Sequence, residues 1–128
     1  MFQRDYILRM IEVAGQAIAR ALGLLVEKKP EEAEQALAEG YGALGIDREL
    51  LLLLDARTLR TQLGDDDRLA LAVRLLACDS EIKWHKGEAS AARRRLKAAQ
   101  RLLAEHSAPS ADLETDLQRL AQLTALQP

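Results

Sequence analysis

The stretch that decides the fold is residues 17–44, AIARALGLLVEKKPEEAEQALAEGYGAL. In its first half Ala17, Ile18, Ala21, Leu22 and Leu25 recur at the spacing of one helical face, and Ala33, Ala36, Leu37 and Leu44 do the same in the second. Between the halves Lys28-Lys29-Pro30 marks a helix exit and re-entry. The lysines are favourable beside a carboxyl-end dipole, and Pro30 suits the first turn of the next helix, whose positive end Glu31, Glu32 and Glu34 meet. The segment therefore predicts a tight antiparallel helical hairpin, closed by Gly45 before Asp47.

Working outward, the first helix extends from about Gln3 to Glu27, with Asp5, Arg9, Glu12, Gln16 and Arg20 as its polar stripe. Its apolar arc, which adds Tyr6, Ile7, Met10, Ile11, Val13 and Ala14, is wider than a surface helix needs, so neighbours are expected on two sides. After the hairpin, Asp47 is expected to cap a third helix that holds Leu50 to Leu54 and ends at Gly64, also two-sided. A fourth helix is predicted from about Asp66 to Lys86, with Gly87 as its turn, and a fifth from about Glu88 to Glu105. Past the turn at Ser107 to Ser110, which contains Pro109, a last helix repeats Leu113, Leu117, Leu120, Ala121, Leu123 and Leu126. No stretch alternates in the manner of a strand, and the short connections favour antiparallel neighbours.

Composition bounds the function. The chain has 128 residues, the usual size of one domain, and with 48% hydrophobic but only 3% aromatic residues its core must come from aliphatic side chains and alanine. The 18 basic and 20 acidic residues nearly cancel, so nothing draws the whole molecule to nucleic acid or to an anionic membrane. A lone cysteine, Cys78, cannot form an internal disulfide, which suits a reducing cytoplasm. Arg4, Asp5, Arg9 and Glu12 interrupt any signal-peptide core, and the longest apolar run, Leu50 to Leu54, falls far short of the roughly 20 residues that span a bilayer. The expectation is one soluble cytoplasmic all-α domain over residues 1–128, with no membrane partner.

Several fragments imitate chemical motifs. Gly40-Tyr41-Gly42-Ala43-Leu44-Gly45 matches G-x-G-x-x-G, but a dinucleotide loop follows a strand, whereas these glycines follow the helical residues Glu31 to Glu39. Inside a helix they would instead permit a close crossing or an early break. Asp65-Asp66-Asp67 lacks the glycine and closing glutamate of a calcium loop and reads as a helix cap. Cys78, His85 and His106 are too few for a closed zinc site, even with Asp79 or Glu81 nearby, and read as a buried structural cysteine and exposed histidine. With no nucleophile, base and acid in any recognisable pattern, the sequence predicts no catalytic, cofactor-binding or metal site and no enzyme; a pocket around Trp84 and His85 would be needed to reopen that question.

Residues 17–44 and 76–103 are alike: each is a helix, a short charged turn and a second helix, the later one reading Lys86-Gly87-Glu88-Ala89 and then Ala92, Leu96 and Ala99. This resembles the tetratricopeptide hairpin, in which small residues let two antiparallel helices approach and a larger one fills the groove. Ala21, Ala33 and Leu37 take comparable places in the first segment, although the family's usual aromatics and terminal proline are absent and an additional helix separates the two segments. The expected fold is all-α, about six helices by the pattern above, in antiparallel hairpins that are tetratricopeptide-like, as the resemblance implies, or collapsed into a closed bundle. The opening residues Met1-Phe2-Gln3-Arg4-Asp5-Tyr6-Ile7-Leu8-Arg9-Met10-Ile11-Glu12 are similar to the start of a family of uncharacterised bacterial helical proteins, a domain of unknown function. That similarity implies a helical fold and bacterial origin and brings no activity.

The functional expectation is a protein–protein interaction or scaffolding module that associates with a protein partner or with itself as a homodimer. Surplus apolar surface on the first and third helices nominates Tyr6, Met10, Leu51 and Leu54 as partner-binding residues. The alternative is a nucleic-acid-associated regulator using the basic row Arg93, Lys97 and Arg101 on the fifth helix. No aromatic residue interleaves that row for base stacking, so a solvated or internally paired face is favoured over nucleic acid.

Overall fold

The computed structural model describes residues 2–125. Met1 of the amino-terminal motif and Leu126 of the last predicted helix lie outside the described residues. Within them the chain is all-helical: α1 (Phe2–Val26), α2 (Pro30–Leu44), α3 (Arg48–Leu53), α4 (Ala56–Leu63), α5 (Asp66–His85), α6 (Ala89–Leu103) and α7 (Ala111–Ala125). α1 packs on α2, and α5 packs on α6. α5 also touches both helices of the first pair, α7 rests on both helices of the second, and α3 and α4 lie against α6.

Local chemistry sets these boundaries. Pro30 opens α2, and Gly45 closes it in the left-handed region at φ 82°, its N–H returned to the Tyr41 carbonyl. Asp47 accepts from the Glu49 N–H at the start of α3, and Asp65 accepts from the Arg68 N–H at the start of α5. Each side chain satisfies one of the donors a helix start leaves unpaired.

The single helix expected between Asp47 and Gly64 is in fact two. Leu54 is extended at φ −80°, ψ 148°, and Asp55 caps α4 by accepting from the Thr58 N–H at 2.8 Å. The break answers the problem that five consecutive leucines pose. Leu51 goes into the core, Leu52 and Leu54 are half-buried, and Leu50 and Leu53 face outward.

The core centres on α5, which buries Leu69, Leu75, Leu76 and Ile82 completely among Leu37, Leu44 and Leu102 of its neighbours. Gly40 makes the contact with α2 possible. A Cβ there would lie 2.7 Å from Leu75 Cδ2 and 3.3 Å from Ala17 Cβ, so the glycine marks the point where α1, α2 and α5 meet. The apparent phosphate loop is therefore the last turns and cap of a helix, with its first glycine used for packing.

Candidate interaction surfaces

α1 buries one stripe, Met10, Ala14, Ala17, Ile18, Ala21 and Leu25. Beside it Leu8, Ile11, Gly15, Ala19, Leu22 and Val26 succeed one another at three- or four-residue steps and so share a second face. That face is largely open: Val26 is 85% exposed and Leu8 55%, Ala19 and Leu22 are also exposed, Ile11 and Gly15 are half-buried, and nothing beyond the local helix backbone lies within 4 Å of where a Cβ on Gly15 would be. Gly15 and Ala19 sit at its middle, flanked by larger apolar side chains at both ends. Tyr6, 64% exposed, and Val13 lie on the opposite flank of the buried stripe.

Of the partner-binding residues expected from sequence, Tyr6 is on the surface, at the rim of a groove of about 860 Å³ that also touches Ile7, Gly45, Gly64 and Arg68. Met10 (5% exposed) and Leu51 (1%) belong to the core, and Leu54 is half-buried. The correction follows from helical phase. Periodicity shows α1 and α3 to be apolar on more than one side, but only packing shows which side α5 and α6 cover. The large apolar side chains left exposed on these two helices are Leu8, Leu22 and Val26 on one flank of α1, Tyr6 and Val13 on the other, and Leu50 and Leu53 on α3.

A buried polar group joins α2, α5 and α6. Asp79 is completely buried; its Oδ2 accepts from the Tyr41 hydroxyl at 2.9 Å and from Arg95 Nε at 3.0 Å. Arg95 also donates to the Ala91 carbonyl, and the Ser80 hydroxyl donates to the Ala92 carbonyl at 2.7 Å, tying α5 to α6 a second time. Burial, and after it the Asp79 charge, push the Tyr41 phenol well above its ordinary pKa. The phenol thus stays protonated as a donor, while the Arg48 guanidinium stands 5.8 Å over its ring. Sequence reasoning missed this group because its members are far apart along the chain. The available signal was an acid, Asp79, on the same helix as the aliphatic residues Leu69, Leu75, Leu76 and Ile82.

Two further polar clusters brace the fold. Glu34 receives Lys83 Nζ at 3.0 Å and Lys86 Nζ at 2.8 Å, linking the start of α2 to the end of α5. Burial pushes the Glu34 carboxyl up, but the hydrogen bonds and charges of the two lysines together outweigh it and hold the pKa below its ordinary value. The Arg68 guanidinium donates to the Leu44 carbonyl at 2.9 Å and the Leu63 carbonyl at 3.1 Å, completing the carboxyl ends of α2 and α4.

The arginine run on α6 divides. Arg95 turns inward to Asp79, and Arg93 is half-buried with a contact of its own within the chain, whereas Arg94, Lys97 and Arg101 are exposed. Cys78 is buried, its thiol pushed up to about 12 by desolvation first and then by the charges of Glu81 and Asp79. His85 is exposed, Trp84 is half-buried, and His106 Nδ1 accepts from the Ala108 N–H at 2.9 Å. No group of three His, Cys, Asp or Glu side chains is placed to hold a metal ion, and no helix is long and apolar enough to cross a membrane, among the described residues. No family model, curated protein or solved structure matches the chain.

Proposed function

We propose that the chain is a helical protein-interaction module that pairs with a second copy of itself through the outer face of α1. The observation that carries this reading is the row on the longest helix in which Leu8, Ala19, Leu22 and Val26 are exposed and Ile11 and Gly15 half-buried. In an antiparallel pair related by a two-fold axis, Leu8 falls opposite Val26 of the second copy and Gly15 opposite Ala19. The small residues at the crossing let the axes approach while the larger ones interdigitate at both ends. The arrangement is self-complementary, as an isologous interface requires.

The architecture also supports a tetratricopeptide-like reading, with α1–α2 and α5–α6 as two hairpins and α3–α4 as an insertion between them. Ala21 and Ala33 in the first hairpin and Ser80 and Ala92 in the second are completely buried small residues at matched positions. We read the protein as cytoplasmic, a view supported by its lone buried Cys78.

Light scattering across a concentration series tests the pairing. The wild-type chain is expected to approach twice its monomer mass of 14.2 kDa. Leu22→Glu combined with Val26→Glu is expected to return it to monomer with unchanged helical circular dichroism. A wild-type monomer at every concentration contradicts the reading.

A further inference from the structure

α2 and α6 are each 15 residues long and carry opposite charge. α2 contains Glu31, Glu32, Glu34 and Glu39 and no lysine or arginine; α6 contains Arg93, Arg94, Arg95, Lys97 and Arg101 and no acid. Part of this charge is used inside the chain, by Glu34 with Lys83 and Lys86 and by Arg95 with Asp79. Arg93 is set aside because it has its own contact within the chain. What remains exposed is an acidic face of Glu31, Glu32 and Glu39 and a basic face of Arg94, Lys97 and Arg101. An ion pair on the acidic face, Glu39 to Arg20 at 3.7 Å, has both side chains about two-thirds exposed (64% and 65%), so solvent screens it and a partner can displace it.

We propose that the basic face of α6 docks the acidic face of α2 on a second copy of the chain. The spacing fits: Arg94 and Arg101 are seven residues apart, as are Glu32 and Glu39, two helical turns or about 10.5 Å in both cases. With the helices antiparallel, Arg101 meets Glu32 and Arg94 meets Glu39, and the helix dipoles oppose favourably. An acidic protein face suits the row better than nucleic acid does, because only three exposed cations are offered and the chain as a whole carries net charge −2. The contact is heterologous: each docked copy still presents one unused face, so association continues into a chain of copies or closes into a ring.

This association is independent of the α1 pairing, and salt separates the two. Raising ionic strength from about 0.01 M to 1 M shortens the Debye length from about 30 Å to about 3 Å, which screens the charged contact and leaves apolar burial intact. Sedimentation velocity on the full chain is expected to show species larger than a dimer at low salt, with an apparent dissociation constant rising at least about tenfold over that range. Reversing either face, by Arg94→Glu, Lys97→Glu and Arg101→Glu or by Glu31→Lys, Glu32→Lys and Glu39→Lys, abolishes the salt-sensitive species. Mixing the two reversed chains restores association, since each then offers the other a complementary face. The proposal is overturned if the wild-type mass does not change with salt, or if the folded reversed chains fail to associate when mixed. It is equally overturned if the wild type binds mixed DNA at low salt without associating with itself. The salt series needs no variant and stands even if a reversed chain misfolds; loss of the high-salt dimer alone breaks the α1 reading and leaves this one in place.

Discussion

The two hairpins share a backbone plan and differ in what they bury. Both turns pass through the left-handed region, at Lys28 (φ 62°) and Gly87 (φ 79°), and both close with a wide 2.9 Å backbone bond, Lys29 N–H to the Leu24 carbonyl and Glu88 N–H to the Lys83 carbonyl. Ala21, Ala33, Leu37 and Gly40 of the first correspond to Ser80, Ala92, Leu96 and Ala99 of the second. Yet α1 buries a purely apolar stripe and leaves a second apolar face open, whereas α5 is covered by α1, α2, α4, α6 and α7 and buries Asp79, Ser80 and Lys83 among its aliphatic side chains. A helix at the edge of the packing keeps apolar surface for a partner; a helix at the centre fixes which neighbours it accepts through paired polar groups, because a misplaced neighbour would leave them unsatisfied.

The contrast breaks most readily at the buried polar group. Arg95→Met leaves the Asp79 carboxylate buried without its countercharge, and urea denaturation is expected to show a loss of about 3–5 kcal/mol. Replacing both partners, Asp79→Leu with Arg95→Met, is expected to recover most of that loss; additive losses would mean the two side chains do not act as a unit. Next in size is Gly40→Ala, expected to cost about 1–3 kcal/mol by forcing Leu75 aside in a packed core. The equivalent position in the second hairpin, Ala99, already carries a Cβ.

Exchanging the turn residues gives a smaller and oppositely signed pair of effects. Lys28→Gly is expected to stabilise by about 1 kcal/mol and Gly87→Lys to destabilise by about as much, since only glycine adopts the left-handed conformation without a Cβ penalty. The smallest effect is on pH dependence. Glu34 has a lowered carboxyl pKa, so its contribution is present above the unfolded value and is lost as pH falls through the lower folded one. Glu34→Gln is therefore expected to flatten the acid limb of stability against pH, as measured by urea midpoints.

Local signals carried much of this architecture. Asp47 and Asp65 read as caps, Gly45 and Gly87 as stops and Pro30 as a start because each acts through backbone groups a few residues away. The break at Leu54–Asp55 was hidden by a leucine run of high helix propensity, although Asp55 with Thr58 three residues on formed the cap that ends it. Nonlocal pairing was not legible. Nothing beside Arg95 distinguishes it from Arg94, yet one turns to Asp79 on another helix and the other faces solvent. The same limit put Met10 and Leu51 on the partner surface in the sequence reading: the pattern gives the width of an apolar arc, and tertiary packing chooses which part of it is covered.

Antiparallel pairing through α1 is tested most directly by disulfide cross-linking between two singly substituted chains, Gly15→Cys and Ala19→Cys. The native Cys78 stays silent at neutral pH because it is buried and its thiol is pushed up to about 12. Mild oxidation of the mixed chains is expected to give the Gly15→Cys/Ala19→Cys heterodimer in preference to either homodimer, because those positions face each other across the two-fold axis. No cross-link, or equal yields from all three combinations, contradicts the pairing.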